Sequence, residues 1–381
     1  MTYPPRGVSV AGDGPGAGAR SASSPGTPRP SDPTPTADEV GSGAGPPAVV
    51  GPDPVGVTLL GCGDAAAMHA RTLSALDGGL RLHFASRDGA RARSFADRLG
   101  GAAWFEGYEA ALSDERTRVV VVVTPPTRHL EWTLAALEAG KHVVVEKPAF
   151  PRSSDFDRVE AAARRAGRQV LVAENYPYKP LAGALRRLVQ SGDLGRLLAV
   201  QLNAMKRQEA HGWRADPALV GGGALLEGGI HWISLLTDLG PVRAVRAVAP
   251  GMGRTPERTM ALALEYQGGA VGSLLHSWEA PSALRGLRLS RLYGTEGSAV
   301  FESNGLFLAS FGRRWRVRGP ARDLRGFRAM FRDLFEALRT GRAPRYDLSR
   351  ARRDVELVEE AYRSAGLGTT GPDPTSTDPS P

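Results

Sequence analysis

From Val55 onward, short apolar blocks alternate with stretches of helical periodicity. Val55–Leu60 is a largely apolar run that ends in a glycine turn, and a helix is predicted over Ala65–Leu76. Leu80–Ser86 reads as a second strand and Gly89–Leu99 as a second helix. Arg118–Thr124 is a β-branched run bounded by turn residues, the pattern of a strand buried on both faces. Thr127–Ala139 is helical, and Gly140 closes it. His142–Val145 is another strand, stopped by Glu146-Lys147-Pro148; a helix near Ser153–Ala166 and a strand at Gln169–Ala173 follow. Strands alternating with helices of about 10–15 residues predict an α/β domain with a parallel, doubly wound sheet over residues 55–178.

After Pro180 the pattern changes. One helix covers about Leu181–Gln190, and then longer alternating strands appear: Leu197–Met205, Val242–Val248, Thr259–Tyr266, Ala270–Trp278, Leu287–Tyr293 and Ala299–Glu302. Gln267-Gly268-Gly269 and Gly294-Thr295-Glu296-Gly297 are hairpin turns. An apolar helix of about Ala224–Leu239 lies between the first two strands, and helices at about Phe327–Arg339 and Leu348–Ser364 close the series. This predicts a second, α+β domain over 179–366 with an open, mostly antiparallel sheet.

The two ends read differently. Residues 1–54 hold twelve prolines and almost no large apolar side chains, so burial cannot offset their ordering entropy and disorder is expected. The same holds for residues 367–381. The length of 381 residues suits two domains, and a 41% hydrophobic content suits buried cores. No apolar run reaches the roughly 18 residues of a membrane span, and the N-terminus lacks the apolar core of a secretory leader. The lone Cys62 excludes an intrachain disulfide framework, and the seven histidines show no metal-ligand spacing. A cytoplasmic protein without a metal site is expected.

The net charge of +8 is uneven: each terminal segment carries −2, so residues 55–366 carry +12. Residues 313–353 alone contain fourteen Arg and four acids. Nucleic-acid binding would use such a run, but apolar residues recur through it at helical spacing (Phe327, Met330, Phe331, Leu334, Phe335, Leu338), as on solvated faces of ordinary helices. Neither nucleic acid nor a membrane is expected as a partner.

Gly61-Cys62-Gly63-Asp64-Ala65-Ala66 follows a strand and opens a helix, fitting G-x-G-x-x-G/A. Gly61 permits the tight turn, Gly63 lets a pyrophosphate approach the backbone, and Ala66 allows close helix–strand packing. In the first strand–helix unit of an α/β domain this pattern predicts a dinucleotide site; elsewhere it would be an ordinary glycine-rich turn. An NAD site places Asp or Glu at the end of the second strand. Here Ser86 and Arg87 stand there, and Arg pairs with a 2′-phosphate. NADP is therefore expected over NAD, although Arg87 also fits an exposed helix start with Asp88 as the cap.

Three motifs together carry a resemblance: Gly61-x-Gly63-x-x-Ala66-x-x-His69, Thr124-Pro125-Pro126-x-x-His129, and Ala139-Gly140-Lys141-His142-Val143-Val144-Val145-Glu146-Lys147-Pro148. Later matches are Ser191-Gly192-Asp193-Leu194-Gly195, Trp213-Arg214-x-Asp216-Pro217, Gly221-Gly222-Gly223-Ala224-Leu225-Leu226-Glu227-x-x-x-His231 and Gly294-Thr295-Glu296-Gly297. Over roughly residues 55–366 the chain resembles the glucose–fructose oxidoreductase / inositol dehydrogenase / rhizopine-catabolism (Gfo/Idh/MocA) family. The resemblance implies a Rossmann domain followed by an open-faced sheet used for oligomer contacts. It also implies hydride transfer between a nicotinamide and a carbon of a sugar, cyclitol or sugar nucleotide. It adds Thr124, Pro125, His129, Glu146 and Lys147 to Gly61–Ala66, Ser86 and Arg87 as cofactor contacts.

The chemistry also has a reading in the residues. Lys147 lies at the carboxyl end of a parallel strand, where ligands of open α/β sheets bind, and a lysine there can hydrogen-bond a reacting oxygen. Glu227 and His231 are four apart, so on a helix they share a face. Glu227 is expected to hold the His231 imidazole so that it exchanges a proton with an alcohol or carbonyl. The resemblance implies Asp where this chain has Glu227, and Gly228-Gly229 weaken the helix there. Tyr176, Tyr178, Lys179, Trp213 and Arg214 are expected near the substrate. A dinucleotide-binding regulator, or a glycosidase using transient oxidation, are the alternatives on this fold.

Overall fold

A computed structural model describes residues 49–51, 54–76, 79–250, 256–281 and 286–368. The segments 1–48 and 369–381, which hold nearly all of the two expected tails, lie outside the described residues. Order begins before Val55: Val50 is buried, and its amide donates to the Leu338 carbonyl at 3.0 Å.

The first sheet contains β1 (Val55–Leu60), β2 (Leu80–Ser86), β3 (Ala103–Glu106), β4 (Val119–Val122), β5 (His142–Glu146) and β6 (Val170–Ala173). Its order is β3-β2-β1-β4-β5-β6, and every pairing is parallel. The intervening helices are α1 (Asp64–Ser74), α2 (Gly89–Leu99), α3 (Tyr108–Ser113), α4 (His129–Glu138) and α5 (Asp155–Ala166). β1, β4 and β5 are buried along their whole length, because helices cover both faces of a parallel sheet. Successive side chains serve opposite faces. Val57, Leu59, Val119, Val121 and Val144 pack with α1 and α2, whereas Leu60, Val120, Val122, Val143 and Val145 pack with α4 and α5.

The second half continues with α6 (Pro180–Gln190), β7 (Leu197–Met205), α7 (Pro217–Val220), α8 (Ile230–Thr237), β8 (Val242–Val248), β9 (Thr259–Tyr266) and β10 (Val271–Ser277). It ends with β11 (Leu289–Gly294), β12 (Ser298–Glu302), β13 (Leu308–Phe311), β14 (Arg316–Arg318), α9 (Phe327–Thr340) and α10 (Leu348–Ser364). Eight strands form a sheet of order β14-β13-β12-β11-β7-β10-β9-β8, antiparallel except where β7 meets β10. One face packs on α6, α8 and α10; the other leaves Leu198, Val248, Val271, Leu275, Tyr293 and Phe311 exposed.

Two features cut across the sequence pattern. The apolar stretch expected as one helix over Ala224–Leu239 starts instead with a π-helical turn, Leu225–Gly229, before α8. The segment Ala218–Thr237, interrupted by the glycine turn at 221–223, is long and apolar enough to cross a membrane, but it is a core element of this fold, mostly buried within the protein. The last two helices return to the first sheet. Met330, Phe331, Leu334 and Phe335 of α9 join the core formed by β1, β4, α1 and α2, each such burial contributing about 1.5–3 kcal/mol. α10 lies in the core that both sheets share. The boundary expected near residue 178 is thus crossed again by the C-terminal helices.

Many arginines of residues 313–353 hold internal ion pairs. Arg345 and Arg350 converge with Arg186 on the buried Asp238. Arg342 meets Asp333 and Glu336, and Arg352 meets Asp157 and Glu160.

Candidate active site

The carboxyl ends of β1, β4, β5 and β6 open onto a cleft of about 530 Å³, closed on its far side by the Trp213–Arg214 loop, the π-turn and α8. Its lining includes Gly63, Asp64, Ala65, Thr124, His129, Glu146, Lys147, Trp213, Arg214, Glu227 and His231. The same cleft therefore collects the glycine turn and the residues singled out for chemistry.

The glycine turn has the local structure that the motif needs. Gly61 adopts φ +119°, and a Cβ there would meet the Val123 carbonyl oxygen at 2.8 Å, so only glycine fits between β1 and β4. A Cβ on Gly63 would meet nothing within 4 Å, so its backbone faces open space. Gly63 caps α1 without a side-chain hydrogen bond, which leaves the first amides of the helix for an anion. Thr124 Oγ1 is buried without a partner beside this turn. These features fit a dinucleotide: Gly61–Ala66 and Thr124 would hold it, and Cys62 would not react with it. Burial pushes the Cys62 thiol up to about 11 against the opposing pull of Arg91 and Arg98, and its Sγ points at the Ala85 carbonyl.

At the end of β2, Ser86 is buried and its hydroxyl accepts the Asp88 amide at 3.2 Å. Arg87 is exposed at the start of α2. A residue not anticipated reaches the turn: Arg91, one turn into α2, donates from Nε to the Cys62 carbonyl at 2.7 Å and lines the cleft. Arg87 lies outside α2, ahead of its extended N-cap Asp88, so helical spacing does not pair it with Arg91, and no local signal in the sequence marks Arg91.

His129 is a strut rather than a free group. Its Nε2 lies 2.8 Å from the Thr124 carbonyl, and its Nδ1 lies 3.0 Å from that of Pro148. It thereby joins the loops after β4 and β5, and burial pulls its pKa down. Glu146 binds His69 Nε2 at 2.8 Å and the Lys147 amide at 2.5 Å. Burial alone would raise this carboxyl; the His69 hydrogen bond and the nearby positive groups outweigh it and hold Glu146 below the ordinary carboxylate range.

Lys147 Nζ donates to the Glu227 backbone carbonyl at 2.7 Å and lies 3.7 Å from Glu227 Oε1. Arg214 Nε donates to the same Oε1 at 2.9 Å. Here the structure corrects the sequence reading: Glu227 does not hold His231. The π-turn adds a residue to the helical repeat between them, and Glu227 faces Lys147 and Arg214. Glu174, just past the end of β6, takes that place, with both carboxylate oxygens 2.8 Å from His231 Nδ1. Glu174 is fully buried and also accepts the Tyr176 amide at 2.8 Å. The rule that drew attention to Lys147, position at the carboxyl end of a parallel strand, applies equally to Glu174 and would have found it.

The five substrate candidates separate. Tyr176 stacks on the His231 ring, with centroids 4.4 Å apart and an interplanar angle of 11°. Trp213 and Arg214 line the cleft. Tyr178 and Lys179 do not. The Tyr178 hydroxyl donates to Asp333 on α9 at 2.7 Å, and Lys179 is buried with Nζ 4.2 Å from the centre of the Tyr176 ring. Both sit behind the cleft wall, because the chain turns at Tyr176–Tyr178 and carries them away from the strand ends.

The Gly221-Gly222-Gly223 turn is held from below. A Cβ on Gly223 would collide with the Glu257 carboxylate. Glu257 Oε1 accepts the Leu225 amide at 2.6 Å and the Tyr362 hydroxyl at 3.1 Å. Tyr362 in turn accepts the amides of Gly223 and Leu226. This network fixes the entry to the π-turn, and so the carbonyl that Lys147 binds.

Comparison with known proteins identifies the family of both halves of the chain. Residues 55–174 match the model described as the oxidoreductase family, NAD-binding Rossmann fold (GFO/IDH/MocA), and residues 183–300 match the GFO/IDH/MocA C-terminal domain. A D-xylose 1-dehydrogenase (NADP(+)) of Haloferax volcanii is 28% identical over 299 residues, covering 74% of this chain and 89% of that protein. A dTDP-3,4-didehydro-2,6-dideoxy-α-D-glucose 3-reductase of Streptomyces violaceoruber is 37% identical over 160 residues, 41% of this chain and 45% of that protein. A levoglucosan dehydrogenase solved with NADH and levoglucosan superposes with a TM-score of 0.73 at 21% identity, covering 82% of this chain and 97% of that one. The WlbA dehydrogenase of Bordetella pertussis, solved with NADH and UDP-GlcNAcA, gives 0.71 at 21% identity, over 83% and 97%. At such identity the structural likenesses speak for the fold alone.

Proposed function

We propose, from the premise that the chain belongs to the Gfo/Idh/MocA oxidoreductase family, that it moves a hydride between a nicotinamide, NADP in preference to NAD, and a hydroxyl-bearing or carbonyl carbon of a sugar, cyclitol or sugar nucleotide. The observation that carries this reading is the meeting of the glycine turn, Lys147 and the Glu174–His231 pair on one cleft. The cofactor when bound supplies or accepts the hydride.

The chain's own residues handle the proton and the charge. With His231 Nδ1–H donating to Glu174, Nε2 is the ring nitrogen left to exchange a proton with the substrate oxygen. The Glu174 charge stabilises the imidazolium that forms when the substrate is an alcohol. Lys147 keeps N–H groups beyond the one given to the Glu227 carbonyl, and these can hold the developing negative charge on the same oxygen. Glu227 and Arg214 fix where that ammonium sits. Tyr176 stacks on the imidazole and keeps its ring in plane.

The preference for NADP rests on Ser86 and Arg87 standing at the end of β2 where an NAD site has an acid, and on Arg91 at the glycine turn. The exposed apolar positions Leu198, Val271, Leu275 and Tyr293 on the open sheet support a homo-oligomer formed through that face. A Leu275→Glu variant that lowers the mass seen in light scattering would agree. The functional reading is tested by parallel fluorescence titrations with NADPH and NADH, followed by a sugar and cyclitol panel with the tighter cofactor. Binding of neither nucleotide would favour a regulator on this scaffold.

A further inference from the structure

Beside the main cleft lies a second cavity of about 270 Å³ that shares Lys147, Arg214, Glu227 and His231 with it. Its remaining wall is built by Lys206, His276 and Arg288, with Trp232, Trp278 and Asn304. These side chains come from neighbouring strands of the second sheet: Lys206 directly follows β7, His276 lies on β10, and Arg288 directly precedes β11. Lys206 and Arg288 have no acidic partner among the described residues. Glu227 is the one carboxylate in the wall, and Arg214 and Lys147 already engage it. The nearby buried Glu302 accepts the Asn304 and Leu306 amides and forms no ion pair with Arg288.

Two of these groups, Arg288 and His276, are also buried. Arg288 is 8% exposed, and its Nε has no hydrogen-bond partner; its guanidinium lies over the Trp232 ring, 5.5 Å from the centre. His276 is 2% exposed, and its Nδ1 is likewise unpartnered. Burial, with the repulsion of Lys206 and Arg288, pushes its pKa down to about 3 despite Glu227, so the ring is neutral. Burial also lowers the Lys206 ammonium, and Arg288 adds to that. Two cations and an idle imidazole lining one cavity cost free energy unless a ligand supplies the missing charge. Neutral hydroxyls would satisfy the N–H groups but not the charge.

We propose that this side cavity binds an anionic substituent of the substrate, a carboxylate or a phosphate, held by Lys206, Arg288 and His276 while the reacting carbon lies between Lys147 and His231. The proposal rests on the oxidoreductase reading for the placement of that carbon. The anion site itself rests on the cavity alone. It makes the preferred substrate an acidic or phosphorylated sugar rather than a neutral one.

The test is calorimetric titration of the full chain, saturated with NADPH so that the nucleotide site is filled and alcohols are not turned over. The probes are D-glucose, D-glucuronate and D-glucose 6-phosphate. At least one anion binds about tenfold or more tightly than glucose; glucuronate leading identifies a carboxylate site, and the 6-phosphate leading identifies a phosphate site. Lys206→Met and Arg288→Gln each shrink that preference several-fold. Lys206 is the partly exposed member, so its variant answers if the buried Arg288 variant does not fold. Equal affinities, no measurable affinity for either anion, or a preference that survives both substitutions overturns the proposal. An anion preference without any nicotinamide redox change in a turnover assay would keep this site and overturn the oxidoreductase reading instead.

Discussion

Both carboxylate oxygens of Glu174 lie 2.8 Å from Nδ1 of His231, and on the proposed mechanism this pairing leaves Nε2 to exchange the proton. Glu174→Gln keeps the shape but removes the charge that stabilises the imidazolium. We expect kcat to fall by about 10- to 100-fold, with cofactor affinity unchanged in a fluorescence titration. An unaltered kcat would show that Glu174 is only a packing group.

Glu227 acts differently. It touches Arg214 and Lys147 but not His231, and the strongest tie of Lys147 is to the Glu227 backbone carbonyl, which a side-chain change leaves in place. Glu227→Gln is therefore expected to lower kcat by no more than about tenfold, clearly less than Glu174→Gln. Steady-state assays on the two variants in parallel decide it; the reverse order would restore the dyad that the sequence pointed to.

Arg87 and Arg91 are the residues proposed to set nucleotide choice. Charge-assisted bonds of this kind are worth about 1.5–3 kcal/mol, so Arg87→Ala and Arg91→Ala should each raise the Kd for NADPH by about 10- to 100-fold. The Kd for NADH should stay within about threefold. Equal losses for both nucleotides would mean that the arginines support the glycine turn rather than read a 2′-phosphate.

Glu257 and Asp354 give the fold a pH signature. Burial pushes both carboxyls up to about 7, partly opposed by hydrogen bonds from Tyr362 and the Leu225 amide to one, and from Tyr346 and Thr237 to the other. Ordinary values are 4.5 and 3.8. The folded state thus holds these protons more tightly than the unfolded one, and the contribution to stability declines as pH rises from about 4 through about 7. Relative to the wild type, Glu257→Gln and Asp354→Asn should gain in Tm between pH 5 and pH 8. A constant offset across that range would contradict the shifts.

The parallel sheet was legible because both-face burial writes itself as unbroken apolar runs such as Val119–Val122. The glycine turn was legible because Gly61 needs both a positive φ and a close approach to Val123. What local pattern could not carry was long-range or irregular. β13 and β14 are short, with exposed positions that blur the alternation. The return of α9 to the first sheet depends on contacts some 260 residues away in sequence, such as Phe331 against His69, whose ring centroids are 5.1 Å apart. The π-turn at Leu225–Gly229 breaks the four-residue spacing on which the pairing of Glu227 with His231 was argued. Glu174 belongs to no local motif, and only its place just past the carboxyl end of β6 marks it.

On the proposed mechanism Lys147 and His231 act on the substrate oxygen, while the glycine turn and Thr124 hold most of the nucleotide. The direct measurement is a single turnover: protein preloaded with NADPH is mixed with a keto sugar found in the substrate panel, and nicotinamide absorbance is followed for the wild type, Lys147→Ala and His231→Ala. Both variants are expected to bind NADPH within about a few-fold of the wild type but to lose absorbance about 10²- to 10⁴-fold more slowly. Wild-type rates in either variant would contradict it.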